Sequence, residues 1–172
     1  MQRILFICMG NICRSPLADG LLRHRLAERG QSHLIEVDSA GTHSAQYNHH
    51  GHPSDERTTA NALAHGIDLR PLRSRQLETV DFEAFDFLFV MDKRNLRDAR
   101  AYAPAHWNDE TYAQRVRLFL EQSRDPWQEL EVPDPYFGGD EGFERVFQLI
   151  ESAVAGLLLT LEETGVLPPC TP

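Results

Sequence analysis

Ile4-Leu5-Phe6-Ile7-Cys8-Met9-Gly10-Asn11-Ile12-Cys13-Arg14-Ser15-Pro16 is an apolar run, a cysteine, five residues and then Arg-Ser-Pro. The run reads as a buried strand over residues 2–8, and the segment after it as a helix over 16–29. Leu17, Ala18, Leu21, Leu22 and Leu26 give that helix its apolar face, and Gly30 stops it. Such a strand delivers Cys8 to its carboxyl end, where open α/β sheets place their ligands. Residues 9–14 must turn tightly there, so their backbone N–H groups converge as an anion-binding nest. Met9, Gly10, Asn11, Ile12 and Cys13 supply those groups. Gly10 lets the backbone come close, and Asn11 tolerates a left-handed conformation. Pro16 suits the first helical position, which aims a helix N-terminus at the same point. Arg14 adds a planar fork matched to two phosphate oxygens. Together these groups favour a thiolate at Cys8. The competing reading, a structural cysteine at a strand end, leaves Gly10, Asn11, Arg14, Ser15 and Pro16 without a reason to stand where they do.

The rest of the chain continues the strand–helix alternation. Residues 34–39 read as a strand. A helix over 54–65 is opened by Ser54 or Asp55 and followed by Gly66. Residues 86–91 read as a strand, 92–103 as a helix, and 116–120 as a weaker strand. The longest helix covers 140–164, with its stripe at Phe143, Val146, Phe147, Ile150, Val154, Leu157, Leu158 and Leu161. That stripe reads as core packing against a sheet. Alternation of this kind implies an α/β fold, a parallel sheet wrapped on both faces through right-handed crossovers. Residues 104–128 are rich in charge, with Trp107 and Trp127 near their ends. They read either as a lid or as a packed excursion.

The chain has 172 residues, 41% of them hydrophobic and 25% charged, which fits one globular domain. We take residues 1–165 as that domain and 166–172 as a Pro-rich tail. A formal charge of −9 disfavours nucleic acid and anionic membrane as partners, so an anionic substrate must be bound by local groups rather than by long-range steering. The apolar run at the start is too short for a membrane span or a signal-peptide core. Three cysteines at these spacings form no disulfide framework, which points to the cytoplasm. His43, His49, His50 and His52 cluster in one loop, but no spacing or carboxylate beside them supports a metal site.

The Cys8–Pro16 segment resembles the low-molecular-weight protein tyrosine phosphatases, including their bacterial members. The resemblance also rests on Val37-Asp38-Ser39-Ala40-Gly41-Thr42, His65-Gly66-Ile67, Phe89-Val90-Met91-Asp92 with Asn95-Leu96, and Val132-Pro133-Asp134-Pro135-Tyr136-Phe137-Gly138-Gly139, in the family's order. It implies a single-domain, flavodoxin-like four-stranded parallel sheet of order 2-1-3-4, with the Cys8 loop at the switch point. It further implies protein-tyrosine-phosphatase activity without cofactor or metal. Phosphotyrosine proteins are then the partners, a tyrosine kinase among the candidates, phosphate is a product, and the chain is a monomer or weak dimer.

The chemistry implied is attack on phosphorus by Cys8, with Arg14 and the loop amides binding the phosphoryl oxygens. Asp134, stiffened between Pro133 and Pro135, is the candidate acid that protonates the leaving tyrosine and then the base for water. Beside a phosphate dianion a carboxyl group is favoured in its protonated form. Alone, Asp134 would read as a turn residue. Ser15 is expected to donate to the Cys8 sulfur, with a helix cap as its plainer role. The resemblance assigns Asn11, Ser39 and His65 to a network that locks the loop. Taken alone, His65 before a glycine reads as a favourable cation at a helix C-terminus. Asp92 matches a recurrent family position and equally suits an N-cap. Cys13 is either a small buried side chain or, as in the family, the partner of Cys8 in a protective reversible disulfide. Cys170 in the tail is expected to be exposed and without function.

Tyr136 and Phe137 match paired aromatics that stack on the phosphotyrosine ring. Ile12 and Tyr136 both point away from the related phosphoarginine phosphatases, the nearest alternative. Arsenate reduction on the same fold needs further cysteines in mid-chain, and none lies between Cys13 and Cys170. A binding module without catalysis would need neither Cys8 nor Asp134. The family's bacterial members usually carry a Trp as the second cleft wall. Residues 43–54 are longer and lack it, and Tyr47 is the best substitute.

Overall fold

The computed structural model describes residues 1–127 and 129–169. Its elements run β1 (Gln2–Cys8), α1 (Arg14–Glu28), β2 (Ile35–Gly41), α2 (Glu56–Ala64), α3 (Thr79–Ala84), β3 (Phe87–Val90), α4 (Lys93–Ala99), α5 (Asp109–Arg115), β4 (Val116–Leu118) and α6 (Asp140–Glu163). Short 3₁₀ turns follow α4 (Arg100–Tyr102) and β4 (Phe119–Gln122). The sheet has four parallel strands in the order β2-β1-β3-β4, as the resemblance implied.

β1 is central and buried on both faces, which is why it reads as a continuous apolar run. Its side chains alternate between two cores. Ile4, Phe6 and Cys8 join the one built with α1 and α6. Leu5 and Ile7 join the other, with Phe82, Trp107, Tyr112 and Leu118. The predicted stripe of α6 is buried along its length, from Phe143 to Leu161. At Gly156 that helix lies against the chain at Gln122. A Cβ added there would meet the Gln122 carbonyl oxygen at 1.9 Å.

Several boundaries differ from expectation. α1 starts at Arg14, so Pro16 is its third residue rather than its first. The N–H groups of a first helical turn have no intrahelical acceptor, so proline is tolerated there too. β2 runs on to Gly41, because its end pairs with Cys8. α4 stops at Ala99 and tightens into a 3₁₀ turn, and the predicted strand over 116–120 does the same after Leu118. The two short helices α3 and α5 carry too little periodicity to be read from sequence. Residues 104–127 are a packed excursion: Trp107 is buried edge-on to Phe82, and the Trp127 indole N–H donates to Ser152. The packing also continues past residue 165. Leu167 is buried, and the Gln31 side chain donates to the Pro168 carbonyl. Cys170 falls outside the described residues.

Replacing Gly156 by Ala tests the closest of these approaches. The added methyl meets backbone that cannot swing away. We expect a loss of about 1–3 kcal/mol in urea unfolding, despite alanine's better helix propensity.

Candidate active site

The loop after β1 wraps the Cys8 sulfur. Ser15 Oγ lies 3.0 Å from Cys8 Sγ, and the Asn11 backbone N–H donates to it over 3.3 Å. Asn11 has φ +55°, the left-handed turn expected of it, and its Nδ2 donates to Ser15 Oγ at 2.9 Å. Ser15 therefore caps nothing; it sits inside α1 with its hydroxyl turned to the sulfur. The end of β2 presses close behind. A Cβ on Gly41 would come within 2.8 Å of the Met9 carbonyl oxygen, so this position requires glycine. The N–H groups of Thr42 and His43 bond the carbonyls of Cys8 and Met9, each at 2.9 Å. Those two carbonyls are thereby satisfied, and the Asn11 N–H points to the sulfur.

Arg14 is almost wholly buried, and three segments meet on it. Its Nη1 donates to Asp92 at 2.5 Å and to the Val132 carbonyl at 3.0 Å, and its Nη2 lies 3.4 Å from Asp134. Burial opposes its charge, but Cys8, Asp134 and Asp92 outweigh that, holding the guanidinium above its ordinary value. The other oxygen of Asp92 accepts from the Asn95 N–H as the N-cap of α4. Asp134 is about one-third exposed and accepts from the Tyr136 N–H at 3.1 Å, a local turn that fixes its carboxyl at the mouth.

These residues line a cleft of about 370 Å³. Cys8, Met9, Gly10, Ile12, Cys13 and Arg14 form its floor, with Asp134 above them. Tyr136 and Phe137 make one wall, edge to face at 5.0 Å. Tyr47, expected in place of the missing Trp, also lines the cleft together with His49, their rings 6.0 Å apart. His49 was missed because it stood among four histidines with nothing in the sequence to single it out. Its ring lies over Gly10, and its Nδ1 is buried without a partner among the described residues. Arg94, in the first turn of α4, lines the cleft as well. No three His, Cys, Asp or Glu side chains among the described residues are placed to hold a metal ion.

Ser39 and His65 do not join Asn11. His65 ends α2, stacks on Phe147 at 3.8 Å and bonds Glu144 at 2.9 Å. Ser39 bonds its neighbour Asp38 through its own N–H. The Asn11 Oδ1 instead accepts from the backbone N–H of Arg75 at 2.8 Å. Cys8 and Cys13 are both free thiols.

The description "Low molecular weight phosphotyrosine protein phosphatase" matches residues 3–166 as a family. The chain belongs to that family. It is 40% identical over 164 residues to a low molecular weight protein-tyrosine-phosphatase of Streptomyces coelicolor, covering 94% of each chain. It is 35% identical over 147 residues to the human low molecular weight phosphotyrosine protein phosphatase, covering 86% of this chain and 87% of that one. Its fold is similar to a crystal structure of a protein tyrosine phosphatase from Entamoeba histolytica, with a TM-score of 0.84 at 33% identity, covering 96% and 99% of the two chains. Among the described residues, no helix of this family member is long and apolar enough to cross a membrane.

Burial pushes the Cys13 thiol up to about 12. A value raised by folding means the protonated thiol favours the fold below the ordinary 9.0, and that contribution is lost as pH climbs toward 12. Urea unfolding of the wild type should therefore lose stability more steeply over this range than that of Cys13→Ala. Parallel pH profiles of the two would contradict it.

Proposed function

We propose that the chain hydrolyses phosphotyrosine monoesters through a phosphorylated Cys8. The observation that carries this reading is one sulfur receiving an amide N–H and facing a serine hydroxyl, with a buried arginine and a carboxyl group in the same cleft. A pure phosphate binder needs the amides and the arginine only. The Cys8 sulfur attacks phosphorus in line and the P–O bond to tyrosine breaks. The phosphoryl group passes to sulfur, and Asp134 gives its proton to the departing phenolate. Water then attacks the cysteinyl-phosphate. Asp134 takes the water's proton, and the thiolate leaves, releasing inorganic phosphate. Arg14 serves the equatorial oxygens: its Nη1 is anchored by Asp92 and Val132, while its Nε takes no protein acceptor among the described residues.

Substrate choice follows from the walls. The phenyl ring of phosphotyrosine is long enough to hold its phosphate on the floor and still lie against Tyr136, Phe137, Tyr47 and His49. Ile12 adds an apolar floor contact in place of a polar side chain that would suit a guanidinium leaving group. We place the protein in the cytoplasm, acting on phosphotyrosine proteins that include a tyrosine kinase, as a monomer or weak dimer.

Rapid mixing with p-nitrophenyl phosphate tests this. The wild type should release nitrophenolate in a burst, and Cys8→Ser should release none. Asp134→Ala should lose about 10²-fold in kcat on phosphotyrosine peptide, within the usual range for general acid catalysis. The loss should be smaller on the nitrophenyl ester, whose leaving group needs less protonation. Phosphoarginine turned over faster than phosphotyrosine would reverse the substrate assignment.

A further inference from the structure

We propose that Arg75 is a positioning residue that sets the direction of the Ser15–Cys8 hydrogen bond. The proposal rests on Cys8 being the nucleophile, and it concerns which protons face the sulfur. Residues 74–77 run behind the loop as a short parallel extension of the sheet. The Gly41 N–H donates to the Arg75 carbonyl and the Leu77 N–H to the Gly41 carbonyl, each at 2.9 Å. From this extension two groups reach the loop. Ser74 Oγ donates to the Gly10 carbonyl at 3.1 Å, and the Arg75 N–H donates to Asn11 Oδ1 at 2.8 Å.

A backbone N–H can only donate. The Asn11 atom facing it must therefore be the carbonyl oxygen, which orients the whole amide. Its NH₂ then faces Ser15 and donates to Ser15 Oγ. With that lone pair taken, the single hydroxyl proton of Ser15 points to Cys8 Sγ, 3.0 Å away. The sulfur then receives two donors, Ser15 O–H and Asn11 N–H, the arrangement that favours a thiolate. A flipped Asn11 amide would set its oxygen against Ser15 and draw the hydroxyl proton away from sulfur.

The Arg75 side chain holds the backbone N–H in place. Its Nε donates to Asp38 on β2 at 2.9 Å, and its two Nη groups grip Asp81 in the first turn of α3 at 2.9 and 3.0 Å. Asp81 is nearly buried and also accepts from the Glu78 N–H, so it is itself fixed. A bidentate fork of this kind is directional in a way a lysine ammonium is not. Asn11 is in a left-handed conformation that needs outside support, and Arg75 provides it from 64 residues away.

The test is a double-mutant cycle read by alkylation of Cys8 with iodoacetamide, followed on the Cys8 peptide by mass spectrometry. Arg75→Met keeps the length of the side chain and removes the fork. At mildly acid pH, where the thiolate fraction limits the reaction, it should slow alkylation about fivefold, the effect of one lost hydrogen bond. At alkaline pH, where every accessible thiol is ionised, it should change nothing. Arg75→Lys should be intermediate. In a Ser15→Ala background Arg75→Met should have no further effect, because the proton it directs is gone. If Arg75→Met does not fold, Arg75→Lys carries the same cycle. Wild-type alkylation rates in a folded Arg75 variant, or effects of Arg75 and Ser15 that multiply independently, would overturn the proposal. Alkylation needs no turnover, so a failure of the phosphatase reading would show separately, as a wild type without activity.

Discussion

A buried guanidinium has to be met by acceptors, and the way Arg14 is met builds the site. Its side chain is 3% exposed. Left unpaired at that depth, a charge would cost several kcal/mol. Asp92 comes from the end of β3, and the Val132 carbonyl and Asp134 from the loop before α6, 118 and 120 residues away. One side chain therefore fixes the distance between the sulfur loop, the start of α4 and the acid loop. The Val132 N–H in turn bonds the Met91 carbonyl, so the acid loop is also tied to the sheet beside it. The protein as a whole carries −9, yet its cleft gathers donors: the loop amides, Arg14 and, at the rim, Arg94. The field that matters is the local one, set by groups within hydrogen-bond reach.

What could be read from sequence was what is contiguous. The sulfur loop is one unbroken segment between a strand and a helix, so Cys8, Gly10, Asn11, Arg14 and Ser15 declared themselves by spacing alone. β1 was legible because its buried stretch, Ile4–Cys8, has no polar position, and α6 because its stripe runs from Phe143 to Leu161, about five turns. Asp134 needed the two flanking prolines and the family's motif to stand out from an ordinary turn. Long-range partners were not legible. His65 was carried over from the resemblance by residue type, and the structure puts it against Glu144 and Phe147 instead. The group that holds Asn11 is a backbone N–H, which leaves no trace in residue identity. α1 was started late because Pro16 was read as its first residue, when any place in the first turn would serve. His49 and Arg94 reach the cleft only through the path of their loops.

The floor and the sides of the cleft are built from different kinds of group. The floor is made of backbone groups, a thiol and an arginine, and says only that a phosphate monoester fits. The walls are side chains: Tyr136, Phe137, Tyr47 and His49. A tyrosine and a histidine present edges and ring nitrogens where a larger indole would present a face.

Hydrolysis through Cys8 requires a covalent bond between phosphorus and its sulfur. The most direct measurement is to quench Asp134→Ala with acid during turnover of a phosphotyrosine peptide and to weigh the Cys8 peptide by mass spectrometry. One phosphoryl group is expected on that peptide, and none when Cys8 is replaced by serine. Steady release of phosphate with no phosphoryl group ever found on Cys8 would contradict it.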